Sequence, residues 1–300
     1  MHVCASLTLT VLGVVLGFVP LGAAAEPAAA PAMPVAPEVI KVGIMDGMFK
    51  GVPEGLVKAG GQQFGGLFKA IVGLPGEVDT EANHIALAKK LDANKVHLGV
   101  FHGFEWAWVK KEFPHLAPLA ITIPSQLPQA CVVVSAKDNI AGPQDLKGSK
   151  VHVPFNMKAH GYLYIEKLGM AVPGAFEVSL SEDVATEELL DEVGKGRAKA
   201  ALVDAGALEA YKKNNPGKGE KVKLLCQSEP LPQTVLIYNP KHLPDNVVKQ
   251  LQNGLTGASK NAQGKAFLFM WNLKGFEPAN AGFDDLVTKS LAAFPAPEKK

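Results

Sequence analysis

From position 39 onward, short apolar runs alternate with segments whose apolar residues recur every three or four positions. Val39–Met45 (VIKVGIM) has the length and composition of a strand and stops at Asp46-Gly47. Glu54–Val72 spaces Leu56, Val57, Phe64, Leu67, Phe68 and Ile71 in a helical pattern, weakened by Gly60-Gly61 and Gly65-Gly66. Thr80–Leu91 sets Ile85, Leu87, Ala88 and Leu91 on one helical side, and Val96–Phe101 is a second strand ending at His102-Gly103. Two further apolar runs, Leu116–Ile123 and Ala130–Ser135, are separated by Pro124 and Pro128. The alternation then restarts, with strands at Val151–Pro154, Phe176–Leu180 and Ala200–Val203 and helices at His160–Met170 and Glu182–Val193. Val222–Cys226 and Thr234–Tyr238 read as strands flanking Glu229-Pro230-Leu231-Pro232. Helices after Leu243, around Phe267–Trp271 and from Asp284 to Ala292 close the chain.

Strands alternating with helices predict an α/β architecture, and the restart after Gly148 predicts two lobes joined by two crossovers. In such sheets ligands sit at the carboxyl ends of the strands, where loops and helix N-termini converge. That nominates the loops after Met45, Phe101, Pro154 and Val203.

The first 38 residues follow a different pattern. Met1–Ala25 carry no charged side chain, Leu7–Val19 is apolar but short of the roughly 20 residues a bilayer span needs, and small residues precede Glu26. This predicts a signal peptide over 1–25, although its basic start is missing and an uncleaved anchor is the alternative. Residues 26–38 form an Ala/Pro tether that cannot support a core. Export to the periplasm is expected, and it leaves Cys131 and Cys226 either disulfide-bonded or as two buried thiols.

Charge narrows the partners. Thirty Lys+Arg against 29 Asp+Glu give a net charge of +1, which offers nothing to attract nucleic acid. Arg197 is the sole arginine and lies in a Gly-Lys-Gly-Arg turn at the wrong end of a helix, so an arginine-clamped amino acid or dicarboxylate is disfavoured. The histidines show no tight metal-ligand spacing, and no Gly-x-Ser-x-Gly, Walker or Gly-x-Gly-x-x-Gly pattern occurs at a strand–helix turn.

The order of segments resembles the type II periplasmic solute-binding proteins of ABC importers, in their phosphate/phosphite/phosphonate-binding branch. The resemblance runs from about Val39 to the end and is carried by VGIM, VHLGVFHGFEWAW, CVVVSAKDNIAGPQDLKGSKVHVP, HGYLYIEKLGM, GRAKAALVDAGALEAY and SEPLPQTVLIYNPKHLPD. Most specific is the pattern of strand, Ala-Lys-Asp, spacer, Asp-Leu-Lys-Gly and strand at Cys131–Val153, which in that family marks entry to the second lobe. The resemblance implies a two-lobed type II fold with two crossover strands at the hinge: lobe one from 39–129 plus 236–300, lobe two from 130–235. It also implies a monomeric, non-enzymatic protein without cofactor or metal, whose partners are a small-molecule ligand and a membrane permease. The alternatives are a ligand-presenting sensor component and an enzyme built on the same fold.

Eight residues are candidates for ligand contact. Lys158 and His160 precede a helix whose free N–H groups favour an anion, and Tyr162 could donate its hydroxyl. His102, Phe104 and Trp106 could form a ligand wall with one polar tip, the alternative being ordinary core. Asp46 and Asp204 each follow a strand, where a carboxylate accepts from a ligand or caps a helix. Two departures from the family bear on the substrate. Phosphonate binders usually carry Ser and Thr donors in the stretch that here reads Asn156-Met157-Lys158-Ala159-His160-Gly161, and Trp106 stands where a Tyr is usual.

Overall fold

Ile40–Met45 forms β1, buried at every position except Lys41, as a near-continuous apolar run requires of a strand covered on both faces. The computed structural model describes residues 35–49, 52 and 54–297; the expected signal peptide and most of the tether lie outside the described residues. Around β1 stand β2 (Gly76–Glu81), β3 (Leu98–Phe101), β4 (Ala117–Pro124), β10 (Val235–Tyr238) and β11 (Leu273–Glu277), in the order β11-β4-β10-β3-β1-β2. β2 and β3 run parallel to β1, whereas β10 runs antiparallel to both β3 and β4. Successive side chains leave a strand on opposite faces. Accordingly Ile40, Val42 and Ile44 meet α8 (Asp245–Thr256) and α9 (Ala262–Met270), with Phe68 of α1 (Glu54–Val72). Met45 and Phe101 meet α2 (His84–Asp92), α3 (Gly103–Glu112) and α10 (Ala281–Ala293) on the other face.

The second sheet repeats this plan. Its strands are β5 (Ala130–Ser135), β6 (Ser149–Val153), β7 (Phe176–Leu180), β8 (Ala200–Asp204) and β9 (Val222–Gln227), ordered β7-β6-β8-β5-β9. One face is covered by α4 (Ala159–Ala171), the other by α5 (Thr186–Gly194) and α6 (Ala205–Asn214), with α7 (Pro216–Gly219) as a short turn beyond. The chain passes between the sheets after β4 and returns after β9. These passages are tied together: Leu231 N–H donates to the Pro128 carbonyl at 2.9 Å, and the Gln129 side-chain amide donates to the Ser228 carbonyl at 2.9 Å.

Several sequence expectations need correction. Thr80 and Glu81 belong to β2, and α2 starts only at His84, capped by Asn83, whose Oδ1 accepts from the Ile85 and Ala86 N–H groups at 2.8 and 3.1 Å. β2 is an edge strand whose ladder to β1 supplies its hydrogen bonds, so GEVDTE needs only Val78 against the core and shows no apolar run. β11 is likewise an edge strand that the pattern did not reveal, and α5 begins at Thr186 rather than Glu182. α1 runs unbroken through its glycine pairs, since packing offsets their cost of roughly 1 kcal/mol each. Cys131 and Cys226 are both free. Val132 faces Cys226 in the β5–β9 ladder, so Cys131, one position earlier, points to the opposite face and cannot bridge to it.

Candidate ligand-binding site

The carboxyl ends of β1 and β3 in the first sheet, and of β6 and β8 in the second, carry most of the predicted residues. β3 is followed by His102, whose extended backbone makes it the N-cap of α3. One oxygen of Glu105, Oε2, accepts from the His102 backbone N–H at 3.0 Å and lies 2.8 Å from His102 Nδ1. Glu105 is only 8% exposed, so this carboxylate is held out of water by its partner histidine. The His102 ring also stacks on Phe104, with centroids 5.1 Å apart and planes 12° apart.

α3 is buried on nearly every side, and its residues divide by direction. Phe104 and Trp108, one turn apart, pack with Leu231 of the return passage, Phe294, and Ala159 and Leu163 of α4. The first sheet's helix therefore touches the second sheet's helix through this apolar cluster. The Trp108 indole N–H donates to the Phe294 carbonyl at 2.8 Å and fixes the chain after α10 there. Trp106 points the other way. It is 0% exposed within the core against α2, α10 and the strands, and its Nε1 has no hydrogen-bond partner. Trp106 thus takes the ordinary-core position: two residues along a helix is a turn of about 200°, which carries it away from the side that meets α4.

Two glycines admit close approaches here. A Cβ at Gly103 would lie 2.5 Å from the Pro232 carbonyl oxygen and 2.6 Å from that of Gln233, so the return passage rests directly on the start of α3. A Cβ at Gly47, in the turn after β1, would lie 3.6 Å from His102 Cε1 and 3.9 Å from Ala159 Cβ. Gly47 therefore sits where the His102 ring and the start of α4 converge. Asp46 beside it is exposed, in a short 3-10 turn.

In the second sheet, β6 ends and the chain turns into α4. Met157 buries its side chain under Gly161, and Asn156 Oδ1 accepts from the Thr186 hydroxyl at 2.9 Å. The turn is thereby held by a hydroxyl from α5 rather than by one of its own residues. Lys158 is the N-cap of α4; it is exposed, makes no side-chain cap bond, and leaves the first-turn N–H groups uncapped by a side chain. Asp204 ends β8 and caps α6, with Oδ1 accepting from Ala207 N–H at 3.1 Å. Because β6 and β8 are parallel neighbours, their following helices start side by side. His160 Nε2 comes 3.0 Å from Asp204 Oδ2. His160 is 4% exposed, and its ring nitrogen faces the carboxylate directly. Burial pushes the Asp204 carboxyl up, but His160, Lys158 and the Ala207 N–H outweigh it and hold the group below its ordinary value. Tyr162 is half-buried against the core under α4.

The structure thus groups Lys158, His160 and Asp204 at one helix start. It brings His102 toward that start through Gly47, places Phe104 in the apolar contact between α3 and α4, and removes Trp106 to the core. Glu105 and Gly47 were missed by sequence reasoning. The signal for Glu105 was available: a carboxylate three positions after an N-cap is a capping pattern. Arg197 lies at the far end of α5, exposed and paired with Glu192. Among the described residues, no group of three or more His, Cys, Asp or Glu side chains could hold a metal ion, and no helix is long and apolar enough to cross a membrane.

Two α/β sheets, each layered by helices and joined by two passages, make the type II periplasmic-binding-protein fold. The chain belongs to the family of periplasmic substrate-binding proteins of phosphonate ABC transporters, whose model matches residues 57–282. Solved structures agree in fold. A Xanthomonas citri protein, XAC2383, solved with ATP, superposes with a TM-score of 0.61 at 13% identity, over 86% of this chain and 97% of that one. PhnD1 from Prochlorococcus marinus, in complex with methylphosphonate, gives 0.60 at 16% identity over 85% and 97%. A binding protein component of an ABC phosphonate transporter from Pseudomonas aeruginosa gives 0.55 at 15% identity over 88% and 90%. Among curated proteins, no sequence matches this chain.

Proposed function

We propose that this chain captures a small phosphorus oxyanion, of the phosphonate class, between its two sheets and hands it unchanged to a membrane permease. The observation that carries the reading is the start of α4. Backbone N–H groups without a side-chain cap, the Lys158 charge and the His160–Asp204 pair converge there, with His102 approaching from the other sheet. Lobe one comprises 39–129 plus 236–300 and lobe two 130–235, and closure of one on the other removes the anion from water. The ligand favours closure only by its greater affinity for the closed form. His102, Lys158, His160, Tyr162 and Asp204 form the contact set, with Asp46 at its edge and Phe104 in the contact that closes. The protein acts as a monomer in the periplasm after removal of residues 1–25.

Thermal unfolding of the chain Glu26–Lys300 against phosphate, phosphite, alkyl- and aminoalkylphosphonates, sulfonates and neutral solutes tests the reading. A ligand at 100 times its dissociation constant adds about 2.7 kcal/mol, raising Tm by about 5 °C for a chain of this length. A selective rise with a phosphorus oxyanion is expected; a flat panel refutes it.

A further inference from the structure

We infer that Glu105 is a positioning residue that makes the site read a proton on its ligand. The inference rests on the anion-capture reading and deepens it. A carboxylate only accepts hydrogen bonds, so an imidazole nitrogen facing one carries a proton. Glu105 Oε2, 2.8 Å from His102 Nδ1 and fixed by the His102 backbone N–H at 3.0 Å, therefore sets the neutral ring as the Nδ1–H form. Nε2 is left with a bare lone pair and, among the described residues, no protein partner. The ring's neighbouring atom, Cε1, faces the Gly47 turn, where the start of α4 also approaches.

A lone pair directed at an anion repels it unless the anion brings a hydrogen. A phosphonate monoanion has a P–OH that donates to Nε2, while a sulfonate of the same shape has no proton to give at neutral pH. Asp204 does not offer a second acceptor of this kind, because Ala207 N–H takes Oδ1 and His160 lies against Oδ2. Among the described residues, the other charged and titratable groups at this end of the sheets are His84 on α2, which feels Glu105, Asp46 beside Gly47, and Lys158 and His160 at α4. Capture by the Nδ1–H ring thus requires a proton on the ligand, which a phosphonate monoanion brings and a sulfonate does not.

The test uses the chain Glu26–Lys300 with methylphosphonate and methanesulfonate as probes. Nitrogen NMR of the imidazoles, without ligand, should show His102 as the Nδ1–H form in the wild type and a mixture in Glu105→Gln, whose amide can still cap α3. At about pH 7.5 the wild type should prefer methylphosphonate by at least about ten-fold. Glu105→Gln should cut the pH 7.5 gap below about three-fold, and Glu105→Asp should restore most of it. An Nε2–H form in the wild type, or an unchanged gap in a Glu105→Gln chain that still binds methylphosphonate, overturns the inference. Failure of the wild type to bind either probe overturns anion capture instead, and the nitrogen spectrum still judges Glu105 independently.

Discussion

Two histidines reach the candidate site, each against a carboxylate, and the two pairs are built in opposite ways. His102 and Glu105 stand three positions apart at the start of one helix, so any chain that forms α3 forms the pair. His160 lies in α4 and Asp204 at the end of β8, and they meet only because β6 and β8 are parallel neighbours. The first pair is a property of a few residues, the second of a whole sheet. A local pair can be altered without unfolding the protein. A topological pair fails with its sheet and contributes to that sheet's stability.

The largest expected effect strikes what holds the local pair in place. Gly103→Ala would press a methyl group onto two backbone carbonyls of the return passage, which cannot rotate away as a side chain could. A loss of about 2–3 kcal/mol in unfolding free energy, read from urea titration, is the expected cost. A loss under about 0.5 kcal/mol would show that the passage does not rest on α3.

Asp204→Asn comes next and should separate the two pairs by pH. The Asp204 carboxyl lies below its ordinary value in the fold, so its contribution is complete above the unfolded value of about 3.9 and disappears as pH falls through the lowered one. The substitution should cost about 1–2 kcal/mol at pH 7, because the pair is partly exposed, and nothing once the pH is low enough to protonate the native carboxyl. A cost unchanged across that fall would mean that Asp204 acts only as the neutral cap of α6.

How much of this was legible follows the same local-versus-topological line. Asp204 and His160 were nominated because strand ends and helix starts are visible as changes of periodicity, yet nothing in sequence said that they touch. Their contact depends on strand order. The spacing of Glu105 from His102 is readable as a capping pattern, but its burial against the His102 ring depends on packing. A run of aromatics does not by itself show that Phe104 and Trp106 leave α3 on different sides; the turn of about 200° between them does. β2 and β11 escaped because edge strands borrow their order from a neighbour's ladder rather than from an apolar pattern of their own. The two-sheet plan itself was readable, since each buried strand is a run of apolar residues with a turn at both ends.

Gly47→Leu should affect binding more than folding. Its side chain would extend into the space between His102 and Ala159, where the sheets approach, and oppose closure while leaving each sheet's core intact. Affinity for the cognate anion should fall by about ten-fold, or about 1.4 kcal/mol, with Tm of the unliganded chain nearly unchanged. Unchanged affinity would place the ligand away from the meeting of the two pairs.

The smallest effect is expected at Trp106, and it tests which side of α3 belongs to the site. Replacing Trp106 with Phe removes a buried indole N–H that has no partner, which favours the variant by sparing an unmet donor. The same change removes ring volume from a core where Trp106 is fully buried, which disfavours it through the space left behind. The two terms oppose each other at about 1–3 kcal/mol each, so the net change in unfolding free energy should stay within about 1 kcal/mol. Ligand affinity should move by less than about two-fold, because Trp106 faces α2 and α10 rather than α4. Phe104→Ala provides the contrast on the opposite side of the helix, where the apolar contact with α4 is made and closure should weaken. If Trp106→Phe instead lowered affinity as much as Phe104→Ala, both sides of α3 would communicate with the ligand. The local pair would then be less independent of the surrounding core than its three-residue spacing implies.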